Sequence, residues 1–253
     1  MNPASPVQYD EMHAPDGSVR EAYRDYDRWL SEQDADWMRR KGREAENFFR
    51  RTGITFNVYG DDAAEERLIP FDMVPRIISG AEWRRLSRGI EQRVRALNAF
   101  MHDLYHRQEI IRSGRLPERL FRHNSAWLPQ MVGFTPPGGV YTHVVGIDLV
   151  RTGPDEFLVL EDNARTPSGV SYMLENRETM MAMFPELFAR VKVQPVSNYP
   201  RRLAKSLAAC APDGAADVPV VGVLTPEGVR ALSSSTRNSS DPVRTRSIPT
   251  MWV

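Results

Sequence analysis

The sequence has a single cysteine, Cys210, which excludes an internal disulfide framework and any zinc site built from several cysteines. It has no surplus of charge: Lys+Arg and Asp+Glu both number 33, so no net field draws it to nucleic acid or an anionic membrane. No apolar run approaches the roughly 20 residues of a membrane span. The opening stretch, Met1 to Gly17, is polar with acids and prolines, unlike a signal peptide. No segment repeats at a fixed period. These absences lead to the expectation of a cytoplasmic protein with neither a nucleic-acid nor a membrane partner. What is present suits a soluble globular fold: 253 residues, 41% of them hydrophobic, can bury a core in one large domain or two small ones.

Helical spacing of Tyr23, Tyr26, Trp29 and Leu30, then of Trp37, Ala45 and Phe48, predicts two helices with a break near Ser31–Asp34. Gly53 to Tyr59 alternates as a strand, and Gly60-Asp61-Asp62 marks a turn. Pro70 and Pro75 keep Ile69 to Arg76 extended. Leu86, Ile90, Val94, Leu97, Met101 and Leu104 form the apolar stripe of a helix. Ser79 and Glu82 suit a capping box at its start, and its end is expected near Ile111. Pro136-Pro137-Gly138-Gly139 makes Met131 to Tyr141 a loop. Thr142 to Val150 and Glu156 to Glu161 flank the turn Thr152-Gly153-Pro154-Asp155 and predict a hairpin. Val170 to Phe188 and Tyr199 to Cys210 read as helices and Val218 to Leu224 as a buried strand. Glu227 to Val253 is rich in Ser, Thr and Arg without apolar period, as in a disordered tail.

The hairpin carries the chemistry. Residues two apart in a strand face one side, so Glu161 and Asn163 point together and Asp162 points away. A turn centred between Pro154 and Asp155 sets Val150 against Val159 and Asp148 against Glu161. Opposed side chains have Cβ atoms roughly 4.5–5.5 Å apart, and like charges so placed destabilise a sheet unless compensated. The flanking Val144, Val145, Ile147, Leu149, Val159 and Leu160 limit screening. Mg²⁺, which takes oxygen ligands from one or two carboxylates and from substrate phosphates, is the natural compensator, with Asn163 adding a neutral oxygen. Spacing alone leaves a solvated hairpin edge equally open, because register is not fixed by sequence.

Leu160-Glu161-Asp162-Asn163-Ala164-Arg165-Thr166-Pro167-Ser168-Gly169 resembles the metal-binding segment of ATP-grasp enzymes. In the D-alanine–D-alanine ligases an Asp on one strand precedes a Glu-x-Asn on the next, followed by a Pro-Gly turn. Gly146-Ile147-Asp148-Leu149-Val150-Arg151 and Ser168 through Arg177 look like the circularly permuted ATP-grasp proteins, relatives of glutathionylspermidine synthase. So do Gly53-Ile54-Thr55-Phe56, Glu66 through Asp72, Pro75-Arg76-Ile77-Ile78 and Gln92 through Asn98. The resemblance runs from about Tyr9 to Pro226. It implies an α/β (α+β) ATP-grasp-like fold, a mixed or antiparallel sheet with flanking helices, incomplete at the C-terminus. It implies ATP and Mg²⁺ as cofactors, with Asp148, Glu161 and Asn163 holding the metal. It implies an ATP-dependent carboxylate–amine ligase that joins acid and amine substrates through an acylphosphate, forming a peptide-like bond. Arg165 would steady phosphoryl oxygens or the substrate carboxylate, and the backbone at Ser168 and Gly169 would face the oxyanion. Ser168 separates the Pro and Gly that adjoin in simpler ligases.

Arg76 follows Pro75 in an extended segment, where it is either an anion anchor or an ordinary surface arginine. Arg177 and Glu175 are read as a supporting ion pair. His102 and His106 have the four-residue spacing of a zinc pair but no third ligand. Gly138-Gly139 is a phosphate cradle or a plain turn. The expected organisation is a helical segment over 1–52, an ATP-grasp-like core over 53–225 and a disordered or aberrant tail over 226–253. The family's motifs are not found after Pro226, so the chain is expected to be a partial copy, with a frameshift as the hypothesis for its tail and an exposed surface that favours association. The alternative readings are a non-catalytic remnant or interaction module completed by a partner, and a metal-dependent phosphate hydrolase.

Overall fold

The computed structural model describes residues 9–52, 55–56, 67–68, 71–165, 167, 169–212, 214–215, 219, 221–225 and 228–232. The N-terminal segment enters α1 (Arg24–Ser31), breaks, and continues as α2 (Ala35–Thr52). Strands β1 (Thr55–Phe56) and β2 (Arg67–Leu68) pair antiparallel. A long helix, α3 (Gly80–Tyr105), is followed by the short α4 (Glu109–Arg112) and α5 (Arg119–Arg122). Strands β3 (Gly146–Arg151) and β4 (Phe157–Asn163) form the central hairpin. Then come α6 (Val170–Met183), α7 (Pro185–Arg190) and α8 (Tyr199–Ala208), and a last hairpin of β5 (Val221–Thr225) and β6 (Gly228–Leu232). Among the described residues the strands form three separate two-stranded antiparallel ribbons rather than one mixed sheet.

The core joins the N-terminal helical stretch to α6 and α7. Tyr23, Tyr26 and Trp29, spaced by three along the first helical stretch, meet Met180, Phe184 and Leu187, spaced by four and three. Trp29 and Phe184 are fully buried and meet edge to face, 5.2 Å between centroids. The Tyr26 hydroxyl donates to the Met73 carbonyl at 3.2 Å and the Tyr23 hydroxyl accepts from the Ile77 amide at 3.0 Å. These bonds dock the extended segment 71–78 on the core. Burial pushes the Tyr26 phenol up to about 12.

Two polar atoms of this core, Thr179 Oγ1 and Trp29 Nε1, are buried without a hydrogen-bond partner among the described residues. A buried hydroxyl that bonds to nothing keeps its desolvation cost, about 1–3 kcal/mol by mutational measures. Thr179→Val replaces it with a methyl group of similar shape and is expected to raise unfolding free energy by about 1 kcal/mol. Urea unfolding followed by circular dichroism reads this, and a destabilised Thr179→Val would show that the hydroxyl has a bound water.

Most elements fall where the sequence places them, including the break between α1 and α2 and the extended segment 71–76. The strand Gly53–Tyr59 is described only at Thr55–Phe56, and the turn Gly60-Asp61-Asp62 lies outside the described residues. The capping box of α3 is formed: Glu82 N donates to Ser79 Oγ at 3.2 Å and Ser79 N to Glu82 Oε2 at 2.9 Å.

Four differences have local causes. Helix α3 stops at Tyr105 instead of running to Ile111, because the Asp103 carboxylate takes the amides of Glu109 and Ile110 and starts α4 beyond a left-handed Gln108. The helix expected over Val170–Phe188 is split at Phe184, because Pro185 has no N–H to continue the ladder. Strand β3 begins at Gly146, not Thr142, because the Asn98 side-chain carbonyl accepts the amides of Tyr141 and Thr142 at 2.7 and 3.1 Å. Finally, Gly228–Leu232, inside the stretch read as tail, pairs with β5 over its full length. None of the described helices is long and apolar enough to cross a membrane.

Candidate metal and phosphate site

Helix α3 carries the central hairpin along its length. Glu82, besides capping α3, accepts from Arg151, whose side chain is only 7% exposed. Arg85 pairs with Asp155 at 2.5 Å, and Arg93 grips Asp162 through two bonds of 2.6 and 2.7 Å. Positions 82 to 93 span about 16 Å of helix at 1.5 Å per residue. The ribbon from Arg151 back to Ile147 spans about 14 Å at 3.4 Å per residue. The lengths match, so the turn end of the hairpin sits at the start of α3 and its open end at Arg93. Between them, Leu86, Ile90, Ile147, Leu149, Phe157 and Val159 line an apolar groove.

That arrangement decides which side chains face away. Ile147, Leu149, Arg151 and Asp162 turn to α3, so Asp148, Val150, Glu161 and Asn163 turn outward. Asp148 pairs directly with Glu161, and Gly146 with Asn163. The expected pairing of Val150 with Val159 is not found: Val150 meets Leu158 and Leu149 meets Val159. The register then shifts between Leu149 and Asp148, where Leu160 is the extra residue of a β-bulge, and the shift restores Asp148 to Glu161.

The Asp148 and Glu161 side chains are exposed and Asn163 is half-buried. The Asn163 amide nitrogen donates to Glu161 Oε1 at 3.0 Å, which leaves its oxygen as the other acceptor of the group. Two carboxylates and an amide on one face are hard oxygen donors, and they fit Mg²⁺ shared with phosphate oxygens better than a softer metal. Among the described residues no three His, Cys, Asp or Glu side chains converge as a closed metal cage. An open, partly protein-built site is the form Mg²⁺ takes with phosphates. Leu158, paired with the outward Val150, is 58% exposed, and Leu160 at the bulge is 69% exposed.

Beyond β4 the chain folds back. A Cβ on Gly146 would come within 3.3 Å of the Pro167 Cβ and 3.5 Å of the Asn163 Cβ, so glycine lets the returning loop lie on the open end of the ribbon. Arg165 is exposed in this loop, and Ser168 lies outside the described residues. Gly169 precedes α6 with φ +97°, a left-handed conformation natural to glycine.

Other candidates are placed elsewhere. Arg76 pairs with Glu11 at 2.5 Å, and Glu11 also lies 3.5 Å from Arg151 at the turn end of the hairpin. The Arg177 guanidinium donates to the Gln194 carbonyl at 3.1 Å. Desolvation, then the Glu178 charge, raises the Glu175 carboxyl above its ordinary value. His102 and His106 stack, 4.2 Å between centroids. His102 Nδ1 lies 3.2 Å from the Tyr141 hydroxyl, and both ring nitrogens of His106 are engaged, by the His102 carbonyl and Thr135. That is a structural pair, not a zinc site. Gly138 and Gly139 form a tight turn closed by the Gly139 amide on Pro136, with both φ near +67° (66° and 68°).

Sequence reasoning missed Arg93. Its signal was present: Asp162, forced inward by the alternation that sends Glu161 and Asn163 outward, calls for a cation on the covering helix.

The sequence pattern of the circularly permuted ATP-grasp type 2 family matches residues 75–231, which include the whole hairpin and its loop. An uncharacterised protein of Synechocystis sp. is 42% identical over 218 residues, 86% of this chain and 45% of its own. An uncharacterised protein of Mycobacterium tuberculosis is 45% identical over 220 residues, 87% of this chain and 39% of its own. A Frankia alni protein provisionally named a glutamate–cysteine ligase is 39% identical over 224 residues, 87% of this chain and 25% of its own. The chain therefore spans less than half the length of these relatives. With more than half of its residues inside the family pattern, the chain belongs to the circularly permuted ATP-grasp type 2 family.

Proposed function

We propose that the chain carries the magnesium- and phosphate-handling part of an ATP-dependent carboxylate–amine ligase. The observation that carries the reading is the pairing of Asp148 with Glu161 on the outward face of a bulged ribbon, with Asn163 beside them. Asp148, Glu161 and Asn163 would hold Mg²⁺. Held by these residues, Mg²⁺ would supply positive charge against that building on a transferred phosphoryl group. Arg165, exposed just past the ribbon, would meet a phosphate or carboxylate oxygen. The backbone at Gly169, and at Ser168 before it, would face the oxyanion formed when an amine attacks an acylphosphate. Arg76, tied to Glu11, would reach a ligand only by giving up that pair.

The family and the provisional name of the Frankia alni relative support ATP-dependent ligation, and that name suggests glutamate and cysteine as the first substrates to try. ADP release from Mg²⁺–ATP is expected only when an acid and an amine are both present. Phosphate release without them would replace the ligase by a hydrolase.

A second reading has its own support. The exposed Leu158 and Leu160 beside the carboxylates suit a face covered by further polypeptide. On that reading the chain is a non-catalytic remnant, or a module completed by a partner. Absence of any Mg²⁺–ATP thermal shift in the isolated chain would favour it.

A further inference from the structure

The bulge at Leu160 creates a choice of register. Without it, the pairing that holds from Arg151–Phe157 to Leu149–Val159 would continue as Asp148–Leu160 and Ile147–Glu161. Glu161 would then turn toward α3 and Asp162 outward, because a one-residue slip flips every side chain to the other face. The outward face would hold one member of the carboxylate pair and lose the other.

We infer that Arg93, acting through Asp162, is the positioning residue that holds β4 in the bulged register and so keeps Glu161 and Asn163 on the face of Asp148. This rests on the reading of that face as a metal site. The geometry is a two-point grip, Arg93 Nε to Asp162 Oδ1 at 2.6 Å and a terminal nitrogen to Oδ2 at 2.7 Å. A fork of this kind fixes orientation as well as distance. Asp162 lies between Glu161 and Asn163 in sequence, and its side chain is only 17% exposed. Pinning Asp162 inward turns both neighbours outward. Ile147 packs in the apolar groove beside α3, but among the described residues no other hydrogen bond or ion pair from α3 reaches the ribbon beyond the bulge. Arg85 and Glu82 hold its turn end, and Asn98 holds the lead-in at Tyr141 and Thr142.

Charge and positioning predict different signs. Arg93→Gln removes a positive charge near the site, so by charge alone it should strengthen cation binding. Arg93→Lys keeps the charge and loses the fork, so by charge alone it should change nothing. Positioning predicts that both weaken it, by about 10-fold or more, as loss of groups that orient metal ligands typically does.

The experiment titrates the full chain with Mn²⁺, reading free ion by electron paramagnetic resonance, for the unmodified protein, Arg93→Lys, Arg93→Gln and Asp148→Asn. Hydrogen exchange of the amides at 161–163 is measured on the same proteins without metal, with thermal melts to establish that each is folded. Weaker Mn²⁺ binding and faster exchange at 161–163 in Arg93→Lys, with exchange in α6 unchanged, are expected. Unchanged exchange in Arg93→Lys overturns the inference, as does Arg93→Gln binding Mn²⁺ as tightly as the unmodified protein or more so. Should Asp148→Asn bind Mn²⁺ as well as the unmodified protein, or should the unmodified protein bind none, the metal-site reading fails. The exchange data then still decide whether Arg93 sets the register.

Discussion

Asp148→Asn and Glu161→Gln are expected to stabilise the metal-free chain and to weaken it, relative to the unmodified protein, once magnesium is added. The two carboxylates are direct cross-strand partners, and facing like charges destabilise a ribbon. Neutralising either one relieves that repulsion, by about 0.5 kcal/mol on the scale of cross-strand pairs. In the presence of metal the sign reverses. Residues that merely orient ligands cost about 10–100-fold in affinity when lost, so losing a ligand should cost at least that. At a free Mg²⁺ concentration of 100 times the dissociation constant, binding stabilises the folded state by about 2.7 kcal/mol. A site weakened 100-fold retains only about 0.4 kcal/mol of that gain by the same relation. Thermal melts in EDTA and in Mg²⁺ read both signs in one experiment. The pattern is hard to obtain otherwise: a solvated pair of unrelated acids gives the first effect without the second, and general damage gives a loss in both conditions. Equal Mg²⁺ response in the unmodified protein and both variants would remove the carboxylate pair from consideration as a metal site.

The same hairpin shows how far sequence carries and where it stops. Alternation correctly separates Glu161 and Asn163 from Asp162, because a strand has only two faces. The facing of Asp148 and Glu161 is also legible, but by a path that the structure corrects. The simple register puts Val150 against Val159, whereas Val150 meets Leu158 and a bulge at Leu160 makes up the difference. A bulge needs no special residue here, so an apolar run reads the same with or without one. Local devices were visible for the opposite reason: the box of Ser79 and Glu82 depends on residues three apart and on nothing distant. The end of α3 depends on which of two caps wins, and Asp103, by taking the amides of α4, stops a stripe whose apolar period continues to Ile111. The strand β6 lies in a stretch whose composition resembles a tail, and only its pairing with β5 distinguishes it. Arg93 lies within a family-like string, Gln92 through Asn98, but its partner is not legible there, since 69 residues separate it from Asp162.

Trp29→Ala and Phe184→Ala should each lower unfolding free energy by about 3–5 kcal/mol, the usual cost of truncating a buried aromatic to alanine. Folded domains are stable by only about 5–15 kcal/mol, so either change takes a large share. Both side chains are fully buried, and Trp37 joins them, 5.9 Å from each by ring centroid. Phe184 sits at the break between α6 and α7, so its loss frees the hinge as well as emptying the core. Trp29→Phe separates packing from polarity. It keeps an aromatic ring and deletes the indole N–H that bonds to nothing, so the cost of lost volume is offset in part. Its net cost should stay near 1 kcal/mol, well under that of alanine. Urea unfolding by circular dichroism gives the three values. The consequence reaches the hairpin through the chain itself: α6 starts at Val170, shortly after Pro167, which lies against Gly146. Loosening the aromatic core at one end of α6 therefore loosens the anchor of the loop at Pro167 at the other. Hydrogen exchange at the start of α6 should rise in Trp29→Ala and Phe184→Ala, and stay near the unmodified rate in Trp29→Phe.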